Sequence, residues 1–316
     1  MQSDGLSVDD AVDALPPGGR TEWLTAGDGT RLRTMRWDAV IEEPRGSVVL
    51  LNGRTEFIEK YCEVIRELLE RRFAVFTLDW RGQGLSSRAL SDPLRGDVAD
   101  FAQFDEDLRL FMERVVYPQA PRPLIALAHS MGGNILLRFL HREPKAFSCS
   151  VLTAPMLAIK TAPFPAWFAR SVARMQVMAG AGTAYIWGGG PDAWTHPFEG
   201  NVVTTDRRRY ARAEALLRAQ PALRLASPSF RWLSAAFDSM AWTRQADFAG
   251  AIETPVLLVG AARDKIVHPG ADMRLIRRLK KGTFVLLDAE HEIMMERDEI
   301  RRLFWAFFDG FVARGS

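Results

Sequence analysis

Ser130 is the residue whose setting most favours nucleophilic chemistry. It lies in Ala128-His129-Ser130-Met131-Gly132, between a short apolar run at 124–128 and helically spaced apolar residues at 135–140. This pattern predicts a sharp strand-to-helix turn, with small residues two positions before and after the serine. Such a turn exposes the hydroxyl, and the free N–H groups at the start of the helix can bind a developing negative oxygen. A tight turn without chemistry is the alternative, because small-x-Ser-x-Gly also occurs by chance.

A neutral serine needs a base within hydrogen-bond reach and a third group that orients the base. In open α/β sheets, such groups lie on loops at the carboxyl ends of the strands. Asp264 directly follows an apolar run at 256–259, and His291 directly follows one at 283–287. We therefore predict a triad of Ser130, Asp264 and His291, in a chain order that suits a nucleophile on a strand-to-helix turn. The alternatives are a capping or surface role for Asp264 and a solvated loop position for His291.

An oxyanion site needs a second donor besides the N–H of Met131, from a loop that follows an earlier strand. The loop at 51–56 meets this requirement because Gly53 lets the backbone approach the substrate, and we predict the N–H of Arg54 as that donor. A purely conformational role for Gly53 is the alternative. The loop that begins at Asp79 is interpreted as shaping the floor of the site, because no helix opens on its glycines to bind phosphate.

Strands and helices alternate over most of the chain, and this alternation predicts the framework that positions the loops. A hairpin around Gly27-Asp28-Gly29 precedes apolar strands that alternate with amphipathic helices, a pattern typical of a mostly parallel sheet with helices on both faces. The predicted strands lie at 22–25, 31–37, 48–51, 73–78, 124–128, 147–153, 254–259 and 283–287. The predicted helices lie at 58–71, 98–116, 131–140, 271–280 and 299–312. One apolar face of the last helix is predicted from Ile300, Leu303, Phe304, Phe307 and Phe311.

The alternation stops at Ala154-Pro155 and resumes at Thr254. The segment between these points holds helix-like stretches and irregular loops without a convincing buried strand, which predicts an insertion. The N-terminal stretch ends in Pro16-Pro17-Gly18-Gly19 and is predicted to be loose. We predict three units. Residues 1–20 form the leader, residues 21–154 and 248–316 together form the core, and residues 155–247 form the insertion.

Composition and charge exclude several functional classes. The chain carries 41 Lys and Arg against 39 Asp and Glu, so no overall positive field argues for a nucleic-acid partner. Its first 20 residues lack the apolar segment of a secretory signal, and no apolar run is long enough to span a bilayer. We therefore expect a cytoplasmic protein.

Cysteine and histidine usage gives no indication of a metal site. Cys62 and Cys149 fall in a predicted helix and a predicted strand, and we expect both to be reduced. The five histidines are too scattered for a metal cluster, so no metal is expected. The predicted serine, histidine and aspartate chemistry requires no organic cofactor either. The histidines other than His291 fit the role of base less well and are interpreted as structural: His129, His141, His196 and His268.

Five stretches resemble, in order, the motifs of the α/β-hydrolase superfamily, in its monoacylglycerol lipase and lysophospholipase branch. They are Asn52-Gly53-Arg54-Thr55-Glu56 with Tyr61, Asp79-Trp80-Arg81-Gly82-Gln83-Gly84 with Ser86, Ala128-His129-Ser130-Met131-Gly132-Gly133, Leu152-Thr153-Ala154-Pro155-Met156, and His291-Glu292-Ile293. The resemblance implies an α/β-hydrolase fold: a mostly parallel, eight-stranded sheet flanked by helices, with an inserted helical cap. It also implies the triad and oxyanion donors named above. The chain departs from the family at Asn52 and Ala128, where members often carry His and Gly.

The resemblance further implies an activity. It implies a serine carboxylic-ester hydrolase that acts on a lipid monoester, a lysophospholipid or a monoacylglycerol, through an acyl-enzyme and without a cofactor. A broad-specificity esterase, a thioesterase or an acyltransferase is the open alternative. A hydrolase fold that binds a ligand without turnover is a further alternative, although such proteins usually have an incomplete triad.

The insertion contributes bulky apolar residues and an excess of positive charge. Phe164, Trp167, Phe168 and Met175 are predicted to bind the acyl chain of the substrate. Residues 155–247 hold eleven Lys and Arg against six Asp and Glu. Such a surface suits transient contact with an anionic headgroup or with the inner face of the membrane. The alternatives are packing of the apolar residues between cap and core, and a solvated charged face.

Overall fold

The computed structural model describes residues 14–39 and 43–315, and an eight-stranded sheet forms its centre. The strands are β1 (Arg20–Thr25), β2 (Arg31–Trp37), β3 (Gly46–Leu51), β4 (Phe73–Leu78), β5 (Leu124–His129), β6 (Cys149–Thr153), β7 (Val256–Ala261) and β8 (Gly282–Leu287). Their spatial order is β1-β2-β4-β3-β5-β6-β7-β8. β2 pairs antiparallel with both β1 and β4, whereas β3 to β8 all run parallel. The predicted sheet is confirmed.

Helices cover both faces of the sheet. They are α1 (Cys62–Glu70), α2 (Ala102–Phe111), α3 (Ser130–Arg142), α4 (Ala166–Met178), α5 (Arg207–Ala219), α6 (Phe230–Thr243), α7 (Pro269–Ile276) and α8 (Asp298–Gly315). A π turn at Met112–Val116 and a helical turn at Tyr117–Gln119 extend α2, and 3₁₀ turns lie at Ile58–Tyr61, Phe198–Gly200, Pro221–Leu223, Ala249–Ala251 and Ile293–Met295. α1 and α8 pack on one face of the sheet, and α2, α3 and α7 pack on the other. None of the described helices has both the length and the apolar character needed to cross a lipid bilayer.

The last helix, α8, buries a different face from the predicted one. Phe304 and Phe308 are fully buried in the cluster that covers the sheet, and Ile300 joins them. Leu303 is 50% exposed and Phe307 is 40% exposed, so the predicted face is wrong at these two positions. Apolar residues occur on both sides of this helix. Its rotation is therefore decided by how its aromatic rings fill the space above the sheet.

Two residues near the end of the predicted leader, Leu15 and Pro16, contact the core. The carbonyl of Pro16 accepts a hydrogen bond from the indole of Trp37 at 2.9 Å. Leu15 packs against the hydrophobic cluster to which Trp37 belongs. Residues 1–13, the remainder of the predicted leader, lie outside the described residues.

A buried arginine in α5 ties the segment between β6 and β7 to the core. Arg209 donates to Glu63 of α1 through Nε at 2.8 Å and through Nη2 at 2.6 Å, and to Asp298 of α8 at 2.6 Å. Burial favours the neutral form of Glu63, but the hydrogen bonds and charge of Arg209, together with the charges of Arg301 and Arg212, outweigh it and lower the pKa of Glu63 to about 2. The pair is therefore ionised at neutral pH, and it fixes α5 on two core helices.

Arg209→Met is expected to lower the free energy of unfolding by about 3 kcal/mol, because it leaves a mostly buried carboxylate without its principal partner. Urea denaturation followed by circular dichroism measures this loss. Arg208→Met is the matched control, since Arg208 is solvent-exposed and its Nη2 lies 4.0 Å from Glu63. Exposed pairs of this kind contribute less than about 1 kcal/mol. Equal destabilisation by both substitutions would contradict the assignment of Arg209.

Candidate active site

The candidate nucleophile lies at a strained turn between β5 and α3. β5 ends at His129 and α3 begins at Ser130, whose φ of 49° lies in the left-handed region that non-glycine residues rarely adopt. Gly132 packs directly against the neighbouring loop, because a Cβ there would lie 2.5 Å from the carbonyl oxygens of Leu51 and Asn52. The small residue two positions after Ser130 is thus required by close contact between two segments of the site.

His291 joins Ser130 to Asp264. Its Nδ1 lies 2.6 Å from Oδ2 of Asp264, and its Nε2 lies 2.9 Å from Oγ of Ser130. A neutral imidazole carries one proton, so a proton on Nδ1 facing the carboxylate leaves Nε2 as the acceptor for the serine hydroxyl. Asp264 follows β7 and His291 follows β8, and parallel strands bring these loops to one edge of the sheet. The three residues predicted as a triad therefore meet.

Asp264 is held as a carboxylate in a fixed orientation. Burial raises the pKa of this carboxyl, but hydrogen bonding to His291 and to backbone N–H groups outweighs burial, and the pKa lies below its usual value. The N–H groups of Ile266 and Val267 donate to Oδ1 at 2.7 and 2.8 Å, which leaves Oδ2 for the imidazole. The negative charge can therefore stabilise an imidazolium at His291.

Two segments that border Ser130 carry the predicted oxyanion donors. The loop that contains Arg54 lies beside the serine, because a Cβ on Gly53 would lie 3.2 Å from the Cβ of Ser130. The guanidinium of Arg54 donates to the carbonyl of Ala226 at 2.6 Å, so the backbone N–H and not the side chain is the candidate donor. Met131 lies in the first turn of α3, where N–H groups have no carbonyl partner within the helix.

Gln83 supports the loop of Arg54 from the loop that follows β4. Its Nε2 donates to the carbonyl oxygens of Gly53 at 2.7 Å and Glu56 at 3.0 Å. Asp79, at the start of the same loop, accepts from the N–H of Ile58 at 3.1 Å. It has no contact with the candidate triad among its hydrogen bonds to the described residues. These contacts agree with the interpretation of this loop as the floor of the site.

Gly53→Ala is expected to lower kcat by about 10²- to 10³-fold, the usual effect of losing one oxyanion donor. Its Cβ would lie 2.8 Å from Oε2 of Glu56, 3.1 Å from the ring of His129 and 3.2 Å from the Cβ of Ser130, so the loop that carries Arg54 and Glu56 would have to shift. Steady-state kinetics measures the effect. Gly27→Ala is the control, since its Cβ meets nothing within 4 Å. An unchanged kcat in Gly53→Ala would argue against this loop as a donor.

Sequence reasoning missed a buried ionic cluster beside the candidate triad. Nζ of Lys60 lies 2.9 Å from Glu56 and 2.5 Å from Glu292, and the hydroxyl of Tyr61 donates to Glu56 at 2.7 Å. Burial opposes the charge of Glu56, but Lys60, with smaller contributions that include the hydrogen bond from Tyr61, outweighs it, and the pKa of Glu56 falls to about 2. Glu292 directly follows His291, so Lys60 links the histidine loop to the loop of Arg54. The one available signal was that Glu56, Tyr61 and Glu292 lie within the family motifs.

His129 lies closer to the chemistry than its structural interpretation implies. Its ring centroid lies 4.8 Å from that of His291, and its Nδ1 lies 3.1 Å from the carbonyl oxygen of Thr153. Burial lowers the pKa of His129 to about 4, so the ring is neutral at pH 7 and adds no charge beside His291.

A cavity of about 780 Å³ opens above Ser130 and His291. Its walls are mostly apolar and come largely from the segment between β6 and β7, with Phe164, Phe168, Val172, Ile186, Phe230 and Trp232 among the lining residues. Of the four residues predicted to bind the acyl chain, Phe164 and Phe168 line this cavity. Trp167 and Met175 do not line it, and they are 70% and 56% exposed. Trp167 lies about 100° around α4 from Phe168 and lines a different cleft. Met175 lies about two turns beyond Phe168 on nearly the same face, further along the helix than Val172, the last residue of α4 that lines the cavity.

No group of three or more His, Cys, Asp or Glu side chains in residues 14–39 and 43–315 is arranged to hold a metal ion. Cys62 and Cys149 are buried, and neither belongs to a disulfide bond within the described residues. The groups at the site are thus a hydroxyl, an imidazole, a carboxylate and backbone N–H groups. Such a set suits acyl transfer through a serine nucleophile.

Comparison with known proteins identifies the family. The model of the family Hydrolase_4, described as serine aminopeptidase S33, matches residues 42–298. The chain belongs to this α/β-hydrolase family. This α/β-hydrolase is 33% identical over 264 residues to lysophospholipase L2 of Escherichia coli strain K12, a match that covers 80% of this chain and 76% of that protein. It is 34% identical over 113 residues to the monoacylglycerol lipase of Mycolicibacterium smegmatis, which covers 36% of this chain and 39% of that protein.

A solved structure gives the same result for the fold. A soluble variant of monoglyceride lipase from Saccharomyces cerevisiae, in complex with a substrate analog, superposes with a TM-score of 0.74 at 19% identity, covering 94% of this chain and 97% of that one. The α/β-hydrolase fold and the resemblance to the lipase and lysophospholipase branch are therefore confirmed. The chain is accordingly a serine hydrolase.

Proposed function

We propose that this α/β-hydrolase cleaves the carboxylic ester of a lipid monoester, a lysophospholipid or a monoacylglycerol, through an acyl-enzyme. One observation carries the proposal: the hydrogen-bonded series Ser130, His291, Asp264 opens into a large, mostly apolar cavity. The names of the relatives, lysophospholipase L2 and monoacylglycerol lipase, support the same substrate class.

In the proposed mechanism, Nε2 of His291 takes the proton of Ser130 as Oγ attacks the ester carbonyl. Asp264 stabilises the imidazolium that forms, and the N–H groups of Met131 and Arg54 bind the tetrahedral oxyanion. The imidazolium then protonates the leaving alcohol, which yields an acyl-enzyme. A water activated by His291 attacks this acyl group and releases the fatty acid and the free serine.

The walls of the cavity favour an acyl chain over a polar substrate. Most of the side chains that line it are aromatic or aliphatic, and a volume of about 780 Å³ is within the usual range for small-molecule sites. We further propose that residues 155–247 act as a cap, because they supply most of this apolar wall and would exclude water from the acyl-enzyme.

Charges at the cavity argue against a peptide substrate with a free amino group, although the family description names an aminopeptidase. Recognition of an ammonium requires an available carboxylate. The carboxylates that line the cavity are those of Glu56 and Glu292, and both are paired with Lys60. The cavity-lining residues of 155–247 include no acidic side chain among those described.

Exposed apolar side chains around the cavity mouth support transient contact with a lipid surface. Trp187 and Phe164 line the cavity and are 61% and 53% exposed. Aromatic side chains favour the interface between water and lipid. Such contact would let a monoester enter the cavity from a membrane or a micelle.

Hydrolysis of a matched substrate panel tests the proposal. The panel contains monoacylglycerol, lysophosphatidylcholine, lysophosphatidylethanolamine, p-nitrophenyl esters and an aminoacyl p-nitroanilide, with acyl lengths varied in each ester. We expect kcat/KM to rise with acyl length in the monoesters and the anilide to be inert. Preference for short esters would remove the lipid assignment, and cleavage of the anilide would remove the ester assignment.

A further inference from the structure

A second cleft lies outside the catalytic cavity, between α4 and α6. Its volume is about 430 Å³. Arg170 and Arg174 line it from α4, and Arg244 lines it from the end of α6. Ile159 lines both this cleft and the catalytic cavity, so a single wall separates the two. Neither the proposed triad nor the proposed oxyanion donors line it.

Positive charge in this cleft exceeds the negative charge available to pair with it. Arg170 and Arg174 each donate through Nη2 to the same oxygen, Oδ1 of Asp238, at 2.8 Å. In the described chain no acidic side chain pairs with Arg244. The Nε of Arg170 is buried and has no hydrogen-bond acceptor among the described residues. Two guanidinium groups therefore share one carboxylate, and the third, that of Arg244, lies beside them without an acidic partner among the described residues.

Further cations surround the cleft. Burial lowers the pKa of Arg244, and the positive charges of Arg170 and Arg274 lower it further. His268, which also lines the cleft, has its pKa lowered by burial and by the charges of Lys160 and Arg274. Like charges gathered at a surface repel one another, and an anion that enters the cleft relieves this repulsion.

Apolar side chains form the remaining walls of the cleft. Trp167, Phe237 and Met240 line it beside the arginines. This position explains why Trp167, which the sequence pattern assigns to the acyl chain, lies outside the catalytic cavity. The cleft thus combines guanidinium donors with a surface that can contact the carbon part of a ligand.

We infer that the cleft lined by Arg170, Arg174 and Arg244 is a binding site for a phosphate group, separate from the catalytic cavity. Guanidinium groups bind phosphate oxygens through paired, charge-assisted hydrogen bonds, and several of them together favour a phosphate over a single carboxylate. The phosphate belongs either to the headgroup of a phospholipid in a membrane or to a small water-soluble phosphate ester. The inference does not rest on the proposed ester hydrolysis.

Two probes distinguish these sources. Isothermal titration with sn-glycerol 3-phosphate, at constant ionic strength and with glycerol as the blank, tests the soluble ligand. Co-sedimentation with phosphatidylglycerol vesicles, compared with phosphatidylcholine vesicles, tests the lipid headgroup. Glycerol 3-phosphate carries no acyl ester, so its binding is measured independently of whether the protein hydrolyses lipids.

Arg170→Gln/Arg244→Gln is the test variant, and Arg207→Gln/Arg218→Gln is the control with the same loss of charge. Arg207 and Arg218 are exposed on α5, where each pairs with one glutamate. We expect the test variant to weaken binding of at least one probe by ten-fold or more, which is the order of magnitude expected for the loss of charge-assisted hydrogen bonds. The control should bind both probes as the unmodified protein does. If the test variant loses affinity for glycerol 3-phosphate, the ligand is a soluble phosphate ester. If it loses affinity only for the phosphatidylglycerol vesicles, the ligand is a phospholipid headgroup. Failure of both probes to bind, or equal losses in the two variants, overturns the inference.

Discussion

Ser130→Ala is expected to lower kcat for ester hydrolysis by on the order of 10⁶-fold, the effect of removing a serine nucleophile from an intact triad. The hydroxyl of Ser130 lies 2.9 Å from Nε2 of His291, so the substitution removes both the attacking oxygen and the proton that the histidine takes. Binding of substrate should persist, because the apolar cavity is unchanged. Steady-state kinetics and labelling with a fluorophosphonate probe measure the loss.

Ser150→Ala is the matched control for this prediction. Ser150 is fully buried in β6, and its hydroxyl has no hydrogen-bond partner among the described residues. The change removes the same atom from a buried serine, so turnover and labelling should stay at the level of the unmodified protein. Retained turnover or labelling in a folded Ser130→Ala protein would overturn the assignment of the nucleophile.

Asp264→Asn is expected to lower kcat by about 10⁴-fold while the protein stays folded. The carboxylate accepts from Nδ1 of His291 at 2.6 Å and thereby keeps Nε2 free for the serine proton. An amide in its place can present an N–H to Nδ1, which favours the wrong tautomer and removes the negative charge that stabilises the imidazolium. The pH profile of kcat/KM, measured with the kinetics, reports the altered histidine.

Asp272→Asn separates this effect from the general loss of a buried carboxyl. Asp272 is buried in α7 and neither of its carboxyl oxygens has a hydrogen-bond partner among the described residues. Burial, and after it the charge of Asp264, raise the pKa of Asp272 well above its ordinary value, so this site disfavours the charged carboxylate and accepts an amide of the same shape. We expect a kcat close to that of the unmodified protein. Similar losses at both positions would contradict the role of Asp264.

The candidate triad could be read from local patterns because each member follows a strand. An apolar run followed by a small-x-Ser-x-Gly stretch specifies the turn at Ser130, and polar residues after two later strands specify Asp264 and His291. Parallel strands end at the same edge of a sheet, so the predicted parallel arrangement of the strands by itself places the three residues close together. Assignment of the three catalytic roles remains a proposal that the substitutions above test.

Other features of the site and the core could not be predicted from the sequence, because they depend on contacts between segments that are distant along the chain. Trp167 and Phe168 are neighbours in sequence and similar in type, yet only Phe168 lines the catalytic cavity. Phe307 and Phe308 in α8 show the same contrast, one partly exposed and one fully buried. The pairing of Lys60 with Glu292 joins residues far apart along the chain, and no spacing rule indicates it.

The amino-acid sequence by itself determined the order and type of the main elements, the strained turn of the nucleophile and the identity of the three side chains that meet there. These depend on periodicity and on the few residues that a tight turn accepts, which are local properties. Only the tertiary structure decided which faces of α4 and α8 are buried, which charges pair beneath the cavity, and that two arginines share one carboxylate beside it. The physical reason is that helix rotation and ion pairing minimise the free energy of the whole packed molecule, to which many distant segments contribute at once.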